Sequence, residues 1–149
     1  MRTALAPKRD LLAQVRLFHS CRAEELDRLA SVTTELDVPP GQVLCREGQA
    51  GHEFFVVVEG QARVTMRERE LATLGPGSFF GEMALLDGGP RIATVTAATP
   101  MKLLVLHRRE FRHLLGRGPT VVTEVLSVVG ERMRSIQRRL SPACPPAGR

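Results

Sequence analysis

The chemistry of this chain is concentrated between Phe80 and Thr94, in the run Phe80-Gly81-Glu82-Met83-Ala84-Leu85-Leu86-Asp87-Gly88-Gly89-Pro90-Arg91-Ile92-Ala93-Thr94. A glycine comes first, then a carboxylate, then a short apolar turn; a glycine-rich return follows and ends in a single arginine. A helix opening at Gly81 offers unpaired backbone N–H groups and the positive end of its dipole, and both attract an anion. Gly81 can adopt positive φ and lets a ligand approach the backbone. Arg91 carries a planar fork of donors that fits phosphate oxygens in pairs. An ionised Glu82 can only accept hydrogen bonds, which suits a ribose hydroxyl and repels phosphate. The expected ligand is small and carries both groups, divided between Arg91 and Glu82.

Residues 80–94 resemble the phosphate-binding cassette of cyclic-nucleotide-binding domains, whose pattern runs F-G-E-x-A-L-L, a short spacer, then P-R-x-A-T. Upstream, Leu17-Phe18, the run Ala23–Ala30, Pro40-Gly41-Gln42, Glu47-Gly48, Phe55–Gly60 and Leu74–Gly77 fall where that family places them. The resemblance spans roughly residues 11–140. It implies a mainly β fold with flanking helices: a jelly-roll (double-stranded β-helix) barrel of about eight strands, with cyclic AMP or cyclic GMP as ligand. It also implies that Glu82 accepts from the ribose 2′-hydroxyl and that Arg91 pairs with the exocyclic phosphate oxygens. Backbone amides of Gly81, Ala84 and Ile92 or Ala93 would complete the cradle. Phe80, Met83, Leu85 and Leu86 are expected in the core rather than on the ligand. Many cyclic-GMP binders of the family carry a threonine directly after the arginine, where its hydroxyl meets guanine. Ile92 can neither donate nor accept there, so cyclic AMP is the expected ligand. Arg132 falls where the family's last helix reaches across the base as a lid.

The elements that must hold these residues can be read from periodicity and punctuation. Met1–Arg9 is short, basic and broken by Pro7, and residues 1–10 are expected to form a loose tail. Leu11, Leu12 and Val15, then Leu26, Leu29 and Ala30, recur at helical intervals, with His19-Ser20 between the two runs. From Glu35 the pattern becomes β-rich: 42–45, 54–58, 62–66, 71–74, 92–97 and 102–106 are separated by glycine and proline. Many short, evenly punctuated strands predict a sandwich or barrel. The helical period returns after Phe111, and Pro119 suits the first turn of a helix over 119–140. Within it Val122, Leu126, Val129, Met133, Ile136 and Leu140 step by alternating fours and threes, a heptad seam that could meet a second copy of the chain or pack onto the barrel. Val121, Val125 and Val128 form a second face that could pack on the barrel. The domain is expected over 11–140, with a Pro- and Ala-rich disordered tail over 141–149.

Bulk properties bound the function. A chain of 149 residues with 43% apolar content amounts to one globular domain. Trp and Tyr are absent, which removes the side chains most used to stack nucleic-acid bases. Twenty-one basic residues face sixteen acidic ones, and residues 107–140 hold the whole excess, with eight arginines against three glutamates. Such a face can meet nucleic acid, an acidic partner or a membrane, or stay solvated. Cys21, Cys45 and Cys144 show no C-x-x-C spacing and read as reduced thiols. Met1–Phe18 lacks a continuous apolar core, and no run approaches the ~20 apolar residues of a membrane span. A cytoplasmic protein is expected. His52, His107 and His113 form no H-x-H cluster, so a metal-dependent cupin enzyme on the same barrel is not expected. Neither a nucleophile–base pair nor a cofactor motif is visible, and no catalytic residue is assigned.

The leading expectation is thus a non-catalytic sensor whose C-terminal helix changes posture when cyclic nucleotide binds. Two alternatives stand beside it. One is a regulator of the catabolite-activator type. The nine residues after Leu140 are expected to be too few for a helix-turn-helix, so sequence-specific DNA binding is not expected, and such a regulator would act through a partner or through unspecific phosphate contacts. The other is an interaction module without ligand, acting on a separate effector protein.

Overall fold

Two long apolar runs organise the fold, and both are buried on both faces. The computed structural model describes residues 5–15, 18–19, 21–82, 89–116 and 125–134. Its elements in chain order are α1 (Leu5–Ala13), α2 (Ala23–Val32), β1 (Thr34–Val38), β2 (Val43–Cys45), β3 (Glu53–Glu59), β4 (Ala62–Met66), β5 (Arg69–Leu74), β6 (Phe79–Phe80), β7 (Thr94–Ala97), β8 (Met101–His107) and α3 (Arg108–Leu115). A further helical segment covers 125–134. Strands β3 and β8 pair antiparallel, with Phe54 opposite Leu106, Phe55 opposite Val105, Val56 opposite Leu104 and Val57 opposite Leu103.

Because neighbouring side chains in a strand point to opposite faces, these runs serve two cores. Phe54, Val56, Leu104 and Leu106 pack against Leu12, Leu26, Leu29, Phe111 and Val125 from the helices. Phe55, Val57, Leu103 and Val105 point the other way, to Val38, Cys45, Phe80 and Val95 inside the barrel. The strands form two four-stranded sheets, in the orders β1-β8-β3-β6 and β2-β7-β4-β5, and every pairing is antiparallel. This is the eight-stranded jelly roll with flanking helices that the cassette implies.

Several expectations shift. Helix α1 starts at Leu5, inside the segment expected to be a loose tail. Pro7 falls in its first turn, where a missing N–H costs nothing, and Leu12 and Val15 that follow are buried in the helical core. Strand β7 begins at Thr94 rather than Ile92, and β1 and β6 were not foreseen. In the C-terminal segment Val125 is buried, while Val128 and Val129 both pack on the helical core. Val129, one of the seam residues, therefore leans inward, because positions 125, 128 and 129 make one stripe of an α-helix. Leu126 and Met133 do face outward, 59% and 56% exposed. Val121, Val122, Ile136, Leu140, Cys144 and the rest of the expected helix and tail lie outside the described residues.

Candidate functional site

Strand β6 is only two residues long, yet it aims the site. Phe79 joins the helical core and Phe80 the barrel interior, where Phe80 stacks on Phe55 with ring centroids 4.7 Å apart. With both rings anchored, Gly81 must turn the chain at the barrel rim, and its φ is +94°. A β-carbon there would come within 2.7 Å of the Glu53 carbonyl oxygen and 2.9 Å of Arg91 Nη1. Only glycine fits. Glu82 follows, and it is 1% exposed. Ala84, with Met83, Leu85 and Leu86, lies outside the described residues.

Arg91 is the other buried charge among the described residues, 6% exposed. Its Nη1 donates to the Gly81 carbonyl at 3.1 Å and its Nη2 to the Glu53 carbonyl at 3.0 Å. The Glu53 carboxylate stands off at 3.7 Å and is half exposed. A guanidinium carries five N–H donors, so two carbonyl bonds fix its plane without exhausting it. Its main chain is tied as well: Arg91 N–H donates to the Gln49 carbonyl and Gly48 N–H to the Arg91 carbonyl, both at 2.8 Å.

The sequence expectation gave Glu82 to ribose and Arg132 to the base; the structure brings these two side chains together. Arg132 Nη1 donates to both oxygens of Glu82, at 2.8 and 2.7 Å. Its Nη2 donates to the Phe79 carbonyl, and its guanidinium lies 5.3 Å from the centre of the Phe79 ring. One side chain of the C-terminal segment thus grips the first residues of the cassette. A buried carboxylate needs such compensation. Each carboxylate oxygen keeps a second lone pair, so the pair does not prevent Glu82 from accepting from a hydroxyl.

Arg91, Glu82 and Arg132 share one open cleft. Gly81, Ile92 and Ala93 line it too, and the rest of its wall is Cys45, Val64, Leu71, Ala72, Leu74, Phe80 and Val95. Apart from the three charged side chains the lining is almost wholly apolar. Ile92 is 38% exposed. Burial, the largest influence, pushes the Cys45 thiol up from 9.0 to about 11, against the pull of the Arg91 charge. A thiol that stays protonated at neutral pH is a poor nucleophile. The carbonyls of Glu53 and Phe79, together with Gly51 beside Arg91, are site groups that the sequence reading missed. Backbone carbonyls carry no residue-type signature; Gly51 could have been noticed only as a glycine without a turn to make. Among the described residues no helix is long and apolar enough to cross a membrane.

The family described as "Cyclic nucleotide-binding domain" matches residues 35–117. Among curated proteins, a cyclic nucleotide-gated potassium channel of Rhizobium etli is 38% identical over 122 residues, covering 82% of this chain and 34% of the channel. The cyclic AMP receptor protein of Thermus thermophilus is 34% identical over 129 residues, covering 83% of this chain and 60% of that protein. Among solved structures, cAMP-bound PfPKA-R superposes with a TM-score of 0.83 at 26% identity, covering 91% of this chain and 48% of that one. The chain thus spans about a third to three-fifths of the length of these curated relatives.

Proposed function

The chain belongs to the cyclic nucleotide-binding domain family, and from that premise we propose that it is a non-catalytic sensor of cyclic nucleotide, cyclic AMP in preference to cyclic GMP. The observation that carries this reading is one cleft lined by a buried guanidinium, a buried carboxylate and a largely apolar remainder. Arg91, with the backbone of Gly81, Ala84, Ile92 and Ala93, takes the cyclic phosphate. Glu82 accepts from the ribose 2′-hydroxyl, and the apolar lining receives the base. Ile92 at the cleft supplies no hydrogen bond to a guanine edge. About 22 non-hydrogen atoms at roughly −0.3 kcal/mol each correspond to about −7 kcal/mol, a micromolar affinity.

A sensor must bind its ligand unequally in two conformations, since equal affinity shifts nothing. Arg132 supplies the difference: it belongs to the C-terminal segment and bonds the carboxylate that the ribose also needs. A ligand that shares Glu82 with Arg132 stabilises the docked position of that segment. Leu126 and Met133, seven residues apart and exposed, then form the surface offered to a partner, and a second copy of the same helix fits their heptad spacing.

Calorimetric titration with cyclic AMP, cyclic GMP and 5′-AMP tests the ligand. Micromolar cyclic AMP, weaker cyclic GMP and no measurable 5′-AMP are expected; no heat with either cyclic nucleotide sinks the reading. Hydrogen exchange across 125–134 should slow on saturation with cyclic AMP, and exchange indifferent to ligand removes the helix from the mechanism. A sedimenting species that stays monomeric with and without cyclic AMP hands the Leu126–Met133 surface to a separate effector protein.

A further inference from the structure

Gly51 stands in the loop between β2 and β3, about forty residues from Arg91 in sequence, yet it touches that side chain. A β-carbon built at Gly51 would fall on Arg91 Nε and Cζ and lie 2.5 Å from Nη2. The guanidinium occupies the space that any side chain at position 51 would need. The backbone gives no other reason for a glycine here. Gly41, Gly48, Gly60, Gly77 and Gly81 have left-handed φ, and Gly51 does not. Alanine could adopt this φ, and the three atoms nearest to its β-carbon would all belong to Arg91.

The same loop holds Arg91 and its surroundings at several other points. Gly48 and Gln49 bond its main chain on both sides. Glu47 N–H donates to Thr94 Oγ1 at 3.0 Å, and the Glu47 carboxylate accepts from Arg67 N–H at 3.0 Å. That second bond ties the loop to the β4–β5 hairpin tip, where Arg67 and Glu68 both adopt left-handed φ. The loop is therefore pinned against movement away from the arginine, so a methyl group at position 51 must displace the guanidinium rather than the loop.

We propose that Gly51 is a positioning residue for phosphate recognition: by lacking a side chain it seats the Arg91 guanidinium against the Gly81 and Glu53 carbonyls. The proposal rests on Arg91 being the phosphate ligand, as read above. It makes the β2–β3 loop part of the binding apparatus, although the loop carries no group that would meet the ligand itself.

The test is a set of variants, Gly51→Ala, Arg91→Ala, the double variant and Gly41→Ala, compared with wild type by thermal unfolding and by titration with cyclic AMP. Gly41→Ala introduces left-handed strain with no atom within 4 Å of the new methyl, and it controls for destabilisation alone. Gly51→Ala is expected to weaken cyclic AMP at least tenfold, and Gly41→Ala by no more than about twofold. Gly51→Ala should lower Tm by about 4 °C or more in wild type, and by about 1 °C or less in the Arg91→Ala background, where the clash is gone. If Gly51→Ala does not fold, a folded double variant still supports the proposal, and an unfolded one overturns it. Equal Tm losses in both backgrounds, or affinity unchanged in Gly51→Ala, also overturn it. Wild type that binds no cyclic nucleotide defeats the phosphate reading instead, while the Tm comparison continues to judge the Gly51–Arg91 contact.

Discussion

Replacing Arg91 by alanine is expected to weaken cyclic AMP by about two orders of magnitude, equivalent to roughly 3 kcal/mol for a charge-assisted, paired phosphate contact. The protein should remain folded, because the two bonds lost are made to the carbonyls of Gly81 and Glu53, which open to water once the side chain is gone. Lysine at the same position should recover only part of the affinity, since a point charge cannot hold two carbonyls and a phosphate in one plane. Titration checks both variants. An Arg91→Ala protein that binds within about threefold of wild type would remove the guanidinium from phosphate recognition, and with it the assignment of the cleft.

Arg132→Ala carries the second large effect, and it is read first in stability. The substitution leaves Glu82 buried at 1% exposure without the donor that now meets both its oxygens. Breaking a buried pair from one side costs about 3 kcal/mol, at the lower end of the usual range because the arginine is partly exposed. For a domain of this size that lowers Tm by about 10 °C. Adding Glu82→Gln to Arg132→Ala removes the stranded charge and should restore a good part of the loss. Ribose recognition would stay damaged, so the double variant should bind cyclic AMP more weakly than wild type despite its recovered Tm. Denaturation of the two single variants and the double variant measures this directly. A loss below about 1 kcal/mol for Arg132→Ala would mean that the contact does not hold the C-terminal segment to the cassette.

The two effects separate the roles of the charged groups. Arg91 is held by main-chain atoms of Gly81 and Glu53 at the barrel rim, and its proposed role is to take the phosphate. Arg132 belongs to the C-terminal segment and reaches the same cleft through Glu82 and the Phe79 carbonyl. Phe79 in turn packs on Phe54, and Phe54 on Phe111 of α3, with centroids 5.3 and 4.5 Å apart. Contact is therefore continuous from the pocket into the helical core, the kind of packed path through which a two-state helix can be biased.

The sequence by itself determined the class of the fold and marked the residues on which the proposed chemistry of the site rests. Runs such as Phe54–Val57 and Leu103–Leu106, set between glycine and proline, read as short strands, and the structure shows them buried on both faces. The order of Gly81, Glu82 and Arg91 raised the expectation of a phosphate divided from a sugar, and the structure brings all three to one cleft. Strand β1, Thr34–Val38, escaped because it is a mostly exposed edge strand with only Val38 buried, and β6 because two residues show no period. What only the tertiary structure decided was which groups hold those side chains. Arg91 is fixed by two carbonyls and seated beside Gly51, while Arg132 meets Glu82 across fifty residues of chain. Periodicity records which face of an element is buried. It carries no information about which backbone atom, or which missing side chain, a folded neighbour will bring to that face.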